Sequence, residues 1–141
     1  MSSQSWFTYA LLSAFFAALT AILGKLGVSE INSNMATFIR TLVIIIMIGT
    51  ILTVQNSWEP LSRLSLRGVI MLSLSAMATG LSWLCYYRAL QLGKASQVAP
   101  VDKLSVVFVI LISMIFLREA VTWKIAINGL LITAGAVVLA I

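Results

Sequence analysis

Histidine is missing from this 141-residue chain, and cysteine occurs once, at Cys85. A single thiol excludes an intrachain disulfide and any multi-cysteine metal centre, and the lack of imidazole leaves zinc and haem without their usual ligands. Acidic residues are nearly as scarce: four Asp and Glu stand against nine Lys and Arg, and charged residues of both signs make up only 9% of the chain. A soluble domain carries about 25% charged residues, so this surface is not built for water. What fills the chain instead is apolar: 61% hydrophobic residues and a mean hydropathy of +1.09. Such a chain is an integral membrane protein. Neither a cofactor, a metal nor a nucleic-acid partner is expected.

Cutting the sequence at its charges leaves uncharged windows at residues 5–24, 41–58, 68–87, 104–117 and 125–141. A helix needs about 20 residues to cross about 30 Å of hydrocarbon. The fourth window has 14 residues and would reach only about 21 Å, so its helix must run back through Lys103 and Asp102. The windows are continuous apolar runs, such as Leu42-Val43-Ile44-Ile45-Ile46-Met47-Ile48. A membrane β-barrel would alternate apolar and polar side chains instead. The expected fold is therefore all-α: one transmembrane domain over residues 1–141, a five-helix bundle with short loops. It leaves no room for a soluble catalytic domain. Residues 1–5 hold no basic residue and no Ala-x-Ala cleavage site ends the first span, so that span is expected to be retained rather than removed as a signal.

Five crossings place the termini on opposite sides. Loops 55–66 and 118–122 share the N-terminal side with Arg63, Arg67, Arg118 and Lys124. Turns 28–34 and 91–94 lie opposite, with Lys25 and Lys94 at helix ends and Arg40, Arg88 and Lys103 deeper. The balance of cations changes sign with how deep one counts, so orientation is weakly specified and insertion in both directions is compatible with the residues. Trp6, Trp58 and Trp123 fall at span ends, where an aromatic belt would put them.

Charge at depth is the most informative feature. Arg40, Asp102 and Lys103 all fall about 10 Å below the surface that also holds Lys25 and Arg88. A charge at the centre of a membrane helix costs about 2.5–3.5 kcal/mol, so these groups are expected to face inward and pair. Arg40 with Asp102 is the expected pair, since Arg grips a carboxylate with two parallel hydrogen bonds. The cationic surplus suits a carboxylate or another anionic cargo. A second reading stays open: Pro100 as first residue of the fourth helix would leave Asp102 in an interfacial first turn. In the embedded alternative Pro100 interrupts the ladder at Ser96 and kinks a polar-lined helix. Gly80, Trp83 and Tyr87 share a face of the third helix, as packing or as a substrate wall.

The whole chain resembles one EamA-type repeat of the drug/metabolite transporter superfamily. The resemblance rests on Gly24-Lys25-Leu26-Gly27, Arg40, Tyr86-Tyr87-Arg88-Ala89-Leu90, Ala99-Pro100-Val101-Asp102-Lys103-Leu104-Ser105 and Leu117-Arg118-Glu119. Larger relatives fuse two such repeats in inverted orientation and export amino acids and other small metabolites. The resemblance thus implies an embedded Asp102 and an inverted partner, either a second copy in an antiparallel homodimer or a related half-size protein. It also implies a bacterial or archaeal cytoplasmic membrane.

The reading that follows is a secondary transporter of small, anionic or zwitterionic solutes. Its substrate-binding or coupling residues are Asp102, Lys103, Arg40, Lys25, Arg88, Trp83 and Tyr87. A subunit of a lipid-linked sugar flippase and a non-transporting assembly partner are the alternatives. An enzyme is not expected, because no nucleophile, base or metal constellation accompanies Asp102.

Overall fold

The computed structural model describes residues 5–140, and all of its regular structure is helical. Residues 1–4, the first four of the segment read against a signal peptide, and Ile141 lie outside the described residues. Six α-helices follow one another: α1 (Ser5–Val28), α2 (Ser33–Val54), α3 (Leu66–Leu92), α4 (Ala95–Asp102), α5 (Ser105–Ile112) and α6 (Trp123–Ala140). A short 3₁₀ turn at Leu61–Arg63 precedes α3, and a π-helical turn at Ser113–Leu117 follows α5.

Four stretches are long and apolar enough to cross a membrane: Trp6–Val28, Ser33–Val54, Leu66–Leu92 and Ala95–Leu117. The last combines α4, α5 and the π turn, so the fourth span does extend back through Lys103 and Asp102. Trp123–Leu139 is a shorter apolar helix. The protein is a polytopic helical membrane protein with four long apolar helices and a shorter one. Helix starts follow local chemistry. Asn32 caps α2 by accepting from the Asn34 N–H at 2.9 Å, and the Ser65 hydroxyl accepts from the Gly68 N–H at 3.0 Å ahead of α3. Few side chains are enclosed: Ala21, Val28, Tyr87, Leu90 and Ala136 are the buried apolar residues among those described. The helices thus show most of their apolar surface outward, as lipid requires.

The chain divides into two compact units, residues 24–91 and the remainder. The first holds α2, most of α3 and the end of α1. The second holds α4, α5 and α6 with the start of α1, and within it α6 packs on α4 and α5.

Candidate functional site

In the unit spanning residues 24–91, α1 and α3 finish where α2 begins. Each of the two finishing helices caps the other. Helix ends leave their last carbonyls without intrahelical donors. Lys25, in the last turn of α1, donates from Nζ to the carbonyl of Leu90 near the end of α3. In return, Gln91 of α3 donates from Nε2 to the carbonyls of Val28 and Ile31, both at 3.1 Å. Arg88 Nη1 donates to Gln91 Oε1 at 3.1 Å and orients that amide. Two of the residues singled out from sequence, Lys25 and Arg88, therefore bind the ends of helices together. Gln91, which the sequence offered only as a turn residue, is the centre of this network; a neutral side chain carries no depth signal to betray such a role.

Beside this junction lies an aromatic platform. Trp83 and Tyr87 stand four residues apart on α3, hence on one face. Their rings meet edge to face with centroids 5.4 Å apart, and Tyr86 adds a third ring 5.6 Å from Trp83. Gly24 is what lets Tyr87 in: a Cβ there would stand 3.0 Å from Tyr87 Cε1 and 3.4 Å from its hydroxyl oxygen. Tyr87 is buried as a result. Arg40, the eighth residue of α2, spreads its guanidinium over this platform, with Cζ 3.1 Å from the Trp83 ring centroid and 6.0 Å from that of Tyr87. A ring face offers an Arg cation about 0.5–2 kcal/mol, which offsets part of the cost of holding the charge within a span. Of the stripe anticipated on α3, Trp83 and Tyr87 meet here with the cation over them, while open space surrounds Gly80.

In the other unit, Pro100 lies inside α4, which begins at Ala95. Pro100 as the first residue of the fourth helix is thereby corrected. The ring has no N–H for the Ser96 carbonyl. Beyond it the ladder tightens: Lys103 N–H donates to Pro100 at 3.1 Å and Leu104 N–H to Val101 at 3.0 Å, an i→i+3 pattern that interrupts the span before α5 starts. Asp102 and Lys103 sit at this interruption. Their ion pair, Nζ to Oδ2, measures 3.7 Å, with the two side chains 39% and 58% exposed respectively. The sequence pointed to Arg40 as the partner of Asp102; the two fall in different units, and within its own unit each has other contacts, Trp83 and Tyr87 for Arg40 and Lys103 for Asp102. Further along, Val107, Ile110, Met114, Ile125, Gly129 and Leu130 line an apolar groove between α5 and α6.

An interrupted apolar helix at membrane depth is an arrangement that membrane carriers use around their substrate and ion sites. The model of the EamA-like transporter family matches residues 4–141. The chain belongs to the EamA-like transporter family. Among curated proteins, an uncharacterized transporter in the cobO 3' region of Sinorhizobium sp is 48% identical over 139 residues, with 99% of each chain covered. No solved structure matches. This EamA-family chain is thus the length of that relative and of a single family repeat, and both likenesses point to a membrane transporter rather than an enzyme.

Proposed function

We propose that this EamA-family protein is a secondary transporter of small metabolites, exporter-like, in a bacterial or archaeal cytoplasmic membrane. The domain formed by residues 1–141 is one half of the working carrier, which is an antiparallel homodimer, or a pair with a related half-size protein, whose two inverted five-helix units alternate access. The observation that carries this reading is the interruption of the fourth span at Asp102 to Leu104. Irregular backbone at membrane depth persists where protein or a water-filled path covers it, and carriers place substrate and coupling sites at such breaks. An ionisable pair there is expensive unless it works.

Asp102 is the coupling carboxylate. Protonation removes its attraction to Lys103, and the ion pair re-forms when the proton leaves, so the break exists in two charge states that a proton gradient can drive. Lys103 supplies the countercharge. The near balance of Lys and Arg between the two ends of the bundle lets identical chains insert in opposite senses.

The test is flux in proteoliposomes. Asp102→Asn keeps the shape of the side chain and removes its titration, so it should abolish flux driven by a pH gradient while the purified protein still migrates as the same oligomer. Undiminished coupled flux through that variant would dismiss the proposal.

A further inference from the structure

Three cations lie towards the end of the unit spanning residues 24–91 at which α1 and α3 finish, and two of them are already committed. Lys25 donates to the carbonyl of Leu90 and Arg88 to Gln91 Oε1. Arg40 differs. Its contacts within this unit are ring faces, those of Trp83 and Tyr87, and among the unit's described residues no oxygen accepts from its guanidinium. A ring face attracts the charge, yet leaves the five N–H donors of the fork without acceptors of comparable strength. Nor are those nitrogens sealed away: among the described residues no enclosed side-chain nitrogen or oxygen lacks a partner, so the unused donors of Arg40 stand on accessible surface. The acidic residues of this unit are Glu30 and Glu59, one in the α1–α2 turn and the other ahead of the 3₁₀ turn before α3. Neither lies on a helix beside Arg40.

A planar, always-charged fork held at about 10 Å depth by stacking, with its donors unused, has the valence of a site awaiting a planar anion. Carboxylate matches that fork through two parallel hydrogen bonds, and the rings beneath fix the fork so that little freedom is lost on binding. We propose that Arg40, seated on Trp83 and Tyr87, is the docking point for the carboxylate of the cargo, and that the substrates are small organic carboxylates, including zwitterions that carry one. This rests on the transporter reading, which leaves the chemical class of the solute open.

The test uses the full chain with Trp6→Phe, Trp58→Phe and Trp123→Phe, which leaves Trp83 as the sole indole. In nanodiscs of neutral phosphatidylcholine at constant ionic strength, sodium succinate or sodium lactate should change Trp83 emission saturably, and tetraethylammonium chloride should not. Arg40→Gln should weaken the apparent affinity about tenfold to a hundredfold, the range for hydrogen bonds to a charged partner. Arg40→Lys, which keeps the charge and loses the fork, should fall between. A wild-type background blind to both carboxylates overturns the proposal without reference to any variant. So does inorganic phosphate saturating where the carboxylates are silent, or a response that needs phosphatidylglycerol in the disc, which would give the site to a lipid headgroup. Flux separates this claim from the transporter reading. Carboxylate binding with no flux of any solute keeps the site and discards the carrier; flux of cations or neutral solutes that Arg40→Gln leaves unchanged keeps the carrier and discards the site.

Discussion

The reciprocal caps between α1 and α3 give a prediction whose size can be worked from the contacts. Lys25 Nζ is the donor to the carbonyl of Leu90, a residue with no exposed surface. Lys25→Met keeps the apolar stem and deletes the ammonium, leaving that carbonyl without its charged donor. A hydrogen bond to a charged group contributes about 1.5–3 kcal/mol, and the loss should fall in that range. Gln91→Leu removes two neutral bonds, to Val28 and Ile31, and bonds of this kind between membrane helices average about 0.6 kcal/mol each. The expected cost is therefore about 1 kcal/mol. Because both caps hold the same two helix ends, losing one frees the junction and leaves less for the second to protect. The double variant should be less destabilised than the sum of the singles by about 0.5 kcal/mol or more.

Equilibrium unfolding in mixed micelles, titrated with dodecyl sulfate and followed by far-ultraviolet circular dichroism, measures all four corners of this cycle. Costs below about 0.5 kcal/mol for Lys25→Met, within the range of an ordinary surface substitution, would mean that the ammonium does no capping. Strict additivity would mean that the two caps do not share a junction.

Other substitutions test the remaining geometry. Gly24→Val drives two methyl groups towards the Tyr87 ring, whose Cε1 is 3.0 Å from where a Cβ would stand, and should cost about 1–3 kcal/mol in the same unfolding assay. Trp83→Leu removes the ring beneath Arg40 and should destabilise by about 0.5–2 kcal/mol beyond the lost area, a difference that vanishes when Arg40 is already Gln. Pro100→Ala restores an N–H opposite the Ser96 carbonyl; thermal stability should rise while the flux of the carrier falls, since the span becomes more regular. Paired reporters fused at Ile141, one active in the cytoplasm and one outside, should both signal if two copies insert in opposite senses; signal from one alone would refute antiparallel self-pairing.

How much of this was legible beforehand depends on the kind of signal each residue carries. The spans were, because hydropathy acts over about 20 residues and needs no partner. The fourth span's backward extension was legible from the shortness of its uncharged window. Depth placed Arg40, Asp102 and Lys103 correctly on spans, because depth is a matter of counting along a helix. Pairing was not legible in the same way. The seating of Arg40 on Trp83 and Tyr87 turns on which face of α3 meets α2, and that depends on packing at Gly24 and Tyr87 rather than on charge. Gln91 was silent for a related reason: an amide acquires its meaning only when two carbonyls from a distant helix end arrive beside it. Pro100 announced a disturbance, and its missing N–H acts on the turn before it; the ladder shifts to i→i+3 after it, at Lys103 and Leu104.

That shift bears on the proposed pairing with a second, inverted copy. The tightened bonds satisfy Pro100 and Val101, yet Lys103 keeps 58% of its side chain exposed and Asp102 keeps 39%. In water such exposure is unremarkable. Against hydrocarbon it is not, because an ionised group at the centre of a span costs about 2.5–3.5 kcal/mol even on permissive insertion scales. A single ion pair at 3.7 Å recovers little of that cost, since its oxygen and nitrogen retain unused hydrogen-bonding capacity. The pair is therefore stable at depth only where water or protein reaches it, and the proposed inverted second copy would supply both: a wall against lipid and a wetted path between the walls. Cysteine placed at position 103 tests this directly. In membranes, a thiol at a wetted break should react with a small charged maleimide at a rate comparable to a loop thiol such as one placed at Gln55, and should be slowed when the proposed partner is prevented from inserting. A thiol that stays inert in membranes yet reacts in detergent would place the break against lipid and remove the physical reason for the second copy.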